Sequence, residues 1–219
     1  MEALVQKQKA FFESGNTLDT RSRRAILQIL ANTIKDVCGD DTPTTAALLA
    51  QVKDFRDHLY KWTGTGRLHL LLSLFAKPGG SGRVPQGTVL IDGGAAEDTG
   101  AILAPLVSAL AAGNTAVVLV PDSPVGETVS RIVDETFTDD FVATIPAATA
   151  PTVLDEVAQD GRAEAAYKAG FDFVYRCGSD LPCLGYDGFL TFSKLILDEP
   201  SLTSPSSSSV RDFAQNSHG

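Results

Sequence analysis

Positive charge, histidine and cysteine are the scarce commodities of this chain. Its 219 residues hold 18 Lys and Arg against 27 Asp and Glu, a formal net charge of -9. A surface of that sign repels phosphate, which argues against nucleic acid and against anionic membrane surfaces as partners. The three cysteines, Cys38, Cys177 and Cys183, are odd in number and widely spaced. They make no disulfide framework and fit reduced thiols in a cytoplasmic protein. The three histidines, His58, His69 and His218, form no ligand pair with them, so no metal site is expected. The N-terminal stretch from Met1 to Phe12 has no apolar core of signal-peptide length.

What the chain does have is apolar surface: 43% of its residues are hydrophobic, enough for a core. One run, Thr99 to Pro121, carries no charge over 23 residues. It is long enough for a bilayer, but Pro105 and the break at Gly113-Asn114 divide it. A buried helix, a turn and a buried strand explain it better. Upstream, residues 17 to 38 read as an amphipathic helix with Ile26, Ile29, Leu30, Ile34 and Val37 on its stripe, Asp19 or Thr17 at its start and Gly39 at its end. Residues 44 to 62 read as a second, with Leu48, Val52, Phe55, Leu59 and Trp62 inward. The stretch 67 to 76 is short and apolar, and 77 to 86 is a Gly- and Pro-rich loop.

From residue 87 onward strands and helices alternate. Strands are predicted near 88–91, 116–120, 142–145 and 171–175, with helices at 99–112, 125–137, 151–159 and 161–169. That order implies a parallel sheet with right-handed crossovers. The expected fold is therefore α/β: N-terminal helices packed on a Rossmann-like, mostly parallel sheet. Residues 1–197 form one domain, and 198–219, with Ser206 to Ser209, form a disordered tail.

Particular words sharpen this. Leu106 to Pro121, containing Gly113-Asn114, resembles the A-x-A-A-G-N-x-V-V-L-K-P-S-E segment of aldehyde dehydrogenases. Pro85 to Ile91 is similar to the strand before it. Phe171 to Ser179 is similar to the family's F-D-x-I-x-Y/F-T-G-S strand and loop. Lys9 to Gly15 with the helix at 21–34 resembles the opening of the fatty and aromatic aldehyde dehydrogenase class. Gly185 to Ser193 resembles that class's C-terminal strand. Five motifs stand in the family's order over residues 1 to 195. The join after Gly178-Ser179-Asp180 is the departure, because the family's catalytic domain would follow there.

The resemblance implies losses. The nucleophilic cysteine and the general-base glutamate lie in the absent part. Ala96 stands where the family has the Asn that donates to the oxyanion, and an alanine methyl donates nothing. Val120 stands where a lysine contacts the nucleotide ribose. Gly178-Ser179 remain of the pyrophosphate loop, but Asp180 brings a negative charge to it. A self-sufficient NAD(P)-dependent dehydrogenase is not expected, nor is a bound cofactor.

Glu97 and Asp98 lie at the mouth of the former substrate tunnel, after a strand's C-terminal end. They are candidate acid and base for an isomerisation, dehydration or cyclisation, with Leu103 and Tyr175 lining the substrate pocket. The simpler explanation is that they are residues favouring the dipole of the helix at Thr99. Cys177 and Cys183 are a possible nucleophile or redox pair, or buried thiols. Tyr186 stands in the class's Tyr-His position, with Asp187 as its neighbour. His58, beside an apolar stripe, has a structural role. The surfaces that associate in the relatives, near 67–76 and 189–197, imply a homodimer or a heteromer by strand addition. Three functions follow: a repurposed, cofactor-independent biosynthetic enzyme acting on a small molecule; a partner or regulator of a full-length dehydrogenase; or an inactive fragment.

Overall fold

A computed structural model describes residues 1–39, 42–63, 82–149 and 170–196. The helices expected at 151–159 and 161–169, the stretch 67–76 and the tail 198–219 lie outside these residues.

Three helices open the chain: α1 (Glu2–Glu13), α2 (Thr20–Cys38) and α3 (Pro43–Trp62). Asp19 begins α2 by accepting from the Ser22 N–H at 2.9 Å, and Thr42 begins α3 by accepting from the Thr45 N–H at 3.1 Å, with Pro43 in the first turn. Each satisfies a donor that a helix start would otherwise leave orphaned. The stripe of α3 is as the sequence predicts. That of α2 is rotated from the expected one: Leu27, Leu30, Ala31 and Ile34 are buried, while Ile29 is 51% exposed. The buried face also carries Arg23, 6% exposed.

β1 (Gly82–Pro85) lies inside the expected loop and pairs antiparallel with β6 (Ser193–Ile196). β2 (Thr88–Asp92), α4 (Thr99–Ala112), β3 (Thr115–Val120), α5 (Pro124–Thr136), β4 (Val142–Pro146) and β5 (Phe173–Arg176) complete the alternation. The sheet order is β4-β3-β2-β5, all parallel. Residues 185–191 form a short helix, α6, where the resemblance implied strand; only Ser193–Ile196 is extended. The reason is packing: α6 sets Phe189, 1% exposed, against Trp62 at 5.7 Å between ring centres.

The uncharged run resolves as expected into helix, turn and strand. Every residue of α4 from Ile102 to Ala112 is buried, because α2, α3, α5 and α6 surround it over the sheet. Gly113, at φ +96, ends the helix, and the side chain of Asn114 then joins three segments. Its Oδ1 accepts from the Gly87 N–H, and its Nδ2 donates to the carbonyls of Ala109 and Phe192, each at 2.9 Å. Arg23 sits in a nest of carbonyls, donating to Thr17, Leu18 and Ala111. Burial lowers its pKa to about 10.

The second face of the sheet is covered by α1, whose polar composition hides it in the sequence. Val5 packs on Leu90, Val117, Leu119 and Phe171, and buried Gln8 donates to the Ala116 carbonyl. No helix among the described residues is long and apolar enough to cross a membrane.

Candidate functional site

In a parallel sheet the ligand crevice opens beyond the carboxyl ends of strands where the chain reverses its direction of travel. Here that point falls between β2 and β5. Asp92 ends β2 and Arg176 ends β5, and their side chains approach to 3.7 Å. Asp92 Oδ1 also accepts from the Gly94 N–H at 3.2 Å, and its carbonyl accepts from the Cys177 N–H at 2.9 Å. The next described helix does not begin until Gly185.

Residues 177–184 instead run across the end of the sheet onto α3 and α4. The Tyr175 hydroxyl donates to the Leu181 carbonyl at 3.2 Å. The Cys183 carbonyl accepts from Ser108 Oγ on α4 at 2.5 Å and from Gln51 Nε2 on α3 at 2.9 Å. Burial pushes the Cys177 thiol up to about 12, with the Asp92 charge and the Cys183 thiol adding to it. Burial likewise raises the Tyr175 phenol, with the neighbouring Cys183 thiol adding to it. All three cysteines are free thiols. At neutral pH Cys177 is a protonated thiol, the opposite of an activated nucleophile.

A cleft of about 490 Å³ lies beside this loop. α3 contributes Thr44, Ala47, Leu48, Ala50, Gln51 and Asp54; the first turns of α4 contribute Gly100 and Ala104; Leu184 and Gly185 close the third side. Gly100 permits the approach of α3 and α4, since a Cβ there would meet Thr44 Cγ2 at 2.8 Å. Leu181, Leu184 and Tyr186, in and next to this wall, are 47%, 61% and 46% exposed.

The residues singled out in the sequence are dispersed. Asp98 is the N-cap of α4 and accepts from the Ala101 N–H at 2.9 Å. Glu97 is exposed on the loop before it. Leu103 and Tyr175 belong to the core, at 0% and 3% exposure. None of the four lines the cleft. His58 is held on α3 by Asp54 at 2.9 Å and stacked on Trp62, with 5.6 Å between ring centres. The cleft itself had one signal in the sequence, the polar Gln51 interrupting α3's apolar stripe. Gln51 is buried and donates to Ala104, Ser108 and Cys183. Among the described residues no group of three or more His, Cys, Asp or Glu is placed to hold a metal ion.

The sheet order and crossovers define a Rossmann-like α/β protein. Comparison with known proteins narrows this class. No protein-family model matches the chain. It is 27% identical over 192 residues to the 4,4'-diaponeurosporen-aldehyde dehydrogenase of Staphylococcus aureus (strain NCTC 8325 / PS 47), an alignment covering 78% of this chain and 39% of the relative. The substrate-bound structure of Staphylococcus aureus AldH superposes with a TM-score of 0.56 at 24% identity, over 79% of this chain and 39% of that one. PnpE from Pseudomonas sp. WBC-3 is more distant, with a TM-score of 0.39 at 20% identity over 65% of this chain and 32% of its own. The homologues are aldehyde dehydrogenases, and the chain is aldehyde dehydrogenase-like. It spans about two fifths of the length of the relatives it matches.

Proposed function

We propose that this chain acts without nicotinamide nucleotide, as a non-redox enzyme of isomerase, cyclase or dehydratase type whose small-molecule site is the α3–α4 cleft. The observation that carries the reading is the loop 177–184. A dinucleotide site in this fold needs a helix N-terminus offering backbone N–H groups to the pyrophosphate. Here Gly178-Ser179 leads instead to Asp180 and a segment tied to Gln51 and Ser108. Of the two carboxylates singled out in the sequence, Asp98 is occupied by its capping bond and Glu97, exposed just before α4, lies outside the lining, so neither is assigned as the acid-base group of this cleft. Calorimetric titration with NAD and NADP tests this: no binding tighter than millimolar is expected, and micromolar binding overturns the reading.

A second reading, a partner or regulator of a full-length dehydrogenase, is favoured by the exposed Leu181, Leu184 and Tyr186. Adjacent exposed apolar side chains mark association surfaces. Light scattering on the chain, alone and mixed with a full-length relative, tests it. A homodimer or mixed complex weakened by Leu184→Asp supports it, and a monomer under both conditions refutes it.

A further inference from the structure

The polar groups of the cleft are unequal in what they offer a ligand. Gln51 directs its amide N–H groups at Ala104, Ser108 and Cys183. Asp54 Oδ1 holds His58, while Asp54 Oδ2 lies only 3.9 Å from where a Cβ on Gly185 would sit, on the cleft itself. Among the described residues no Lys or Arg lines the cleft. The cations Lys53 and Arg56 of α3 line a separate hollow, together with Lys35 of α2. On the cleft side α3 thus presents an apolar wall ending in the Asp54 carboxylate, while its cations Lys53 and Arg56 stand with Asp57 on the other.

From this arrangement we infer that the cleft takes an amphiphilic cation: a protonated amine on a short hydrocarbon, its N–H groups toward Asp54 and its chain along Ala47, Leu48, Ala104 and Leu184. A carboxylate acceptor complements an ammonium donor and repels an anionic head group. The chain's net charge of -9 favours approach of cations in the same sense. The inference deepens the cleft reading above and rests on it.

Calorimetry with n-octylamine, n-octanol and n-octanoate at pH 7 isolates the head group, since the three share one hydrocarbon. Octylamine is expected to bind about five-fold more tightly than octanol, the scale of a half-exposed charge pair, and octanoate more weakly than both. Asp54→Asn should remove the amine's advantage and leave octanol unchanged. Equal binding of amine and alcohol, tighter binding of octanoate, or an advantage that survives Asp54→Asn overturns the inference. Ala47→Trp, at an exposed position on the cleft, separates the two levels. If octanol binds and Ala47→Trp blocks it, the cleft is the site, and the head-group comparison judges the amine alone. If no probe binds, or Ala47→Trp changes nothing, the cleft reading fails and the amine inference with it.

Discussion

Asn114→Asp changes one atom of the side chain and should be among the most damaging isosteric substitutions in this fold. Asn114 is fully buried and makes three hydrogen bonds, two of them through Nδ2 to carbonyl oxygens. The substitution puts an oxygen where that nitrogen stands. Protonated, the new carboxyl keeps one donor for two carbonyls, a loss of about 1 kcal/mol. Ionised, it keeps none and places a charge against two carbonyl dipoles. Burial then raises its folded-state pKa above the unfolded value of about 3.9. The stability difference from wild type is therefore smallest below about pH 4 and widens as pH rises towards the folded pKa. A rise of about 2 units adds roughly 2.7 kcal/mol, for a total near 4 kcal/mol at pH 8. At about 2–4 °C per kcal/mol for a chain of this size, the melting temperature should fall by roughly 8–16 °C. Thermal melts of wild type, Asn114→Asp and Asn114→Ala between pH 4.5 and 8 give the comparison. The Ala variant should be destabilised by a nearly constant amount across this range. An Asp variant that melts within about 2 °C of wild type, or tracks the Ala variant at every pH, would refute the reasoning.

Three further outcomes are expected. Gly113→Ala places a methyl at φ +96 and 2.6 Å from the Arg23 guanidinium carbon; a loss of about 2–4 kcal/mol should appear in denaturant titration, and a neutral result would mean that Arg23 is not seated as described. Leu103→Ala should cost about 2–5 kcal/mol in the same assay while leaving octanol binding intact, whereas a Leu103 that lines the ligand site would lose binding first. Iodoacetamide labelling followed by mass spectrometry should modify Cys177 at pH 8.5 at least about ten-fold more slowly in the folded than in the denatured chain, because the folded thiol becomes a thiolate only near pH 12; equal rates would contradict that raised pKa.

The sequence was most legible where local chemistry and burial agree. The bounds of α4 could be read from Asp98 before it and Gly113 after it, because cap residues act within one turn. The parallel strands were legible as short apolar runs for the same reason. Long-range choices were not. Nothing local distinguishes Ile29 from Leu30 on α2; Leu30 is buried with Leu27 and Ile34 in a core made with α3, α4 and the sheet, all distant in sequence. α1 is half polar, and its buried positions are Val5 and Gln8, the amide N–H of the latter donating to a carbonyl 108 residues distant. The candidate site divides along the same line. Glu97 and Asp98 are conspicuous in sequence, but the cap bond that occupies Asp98 is a matter of geometry. Half of the cleft's lining is Ala and Gly, small residues that mark no site in a sequence, and Gln51 is its one conspicuous polar position.

The loop after β5 bears on both the proposed loss of nucleotide and the cleft. Gly178-Ser179 is similar to the family's loop, yet two residues cannot hold a pyrophosphate without the helix start that aligns several N–H groups towards it. Once the segment after them is anchored to Ser108 and Gln51, the end of β5 is bound into the protein's own structure. The same anchoring sets Leu184 and Gly185 opposite α3 and makes the third wall of the cleft. One rearrangement thus accounts both for the missing helix start and for the cleft. The two can be separated by Ser108→Ala with Gln51→Leu. If they have one origin, releasing the loop should abolish octanol binding with only a modest loss of stability; a double variant that retains full binding would show the cleft to be independent of the loop.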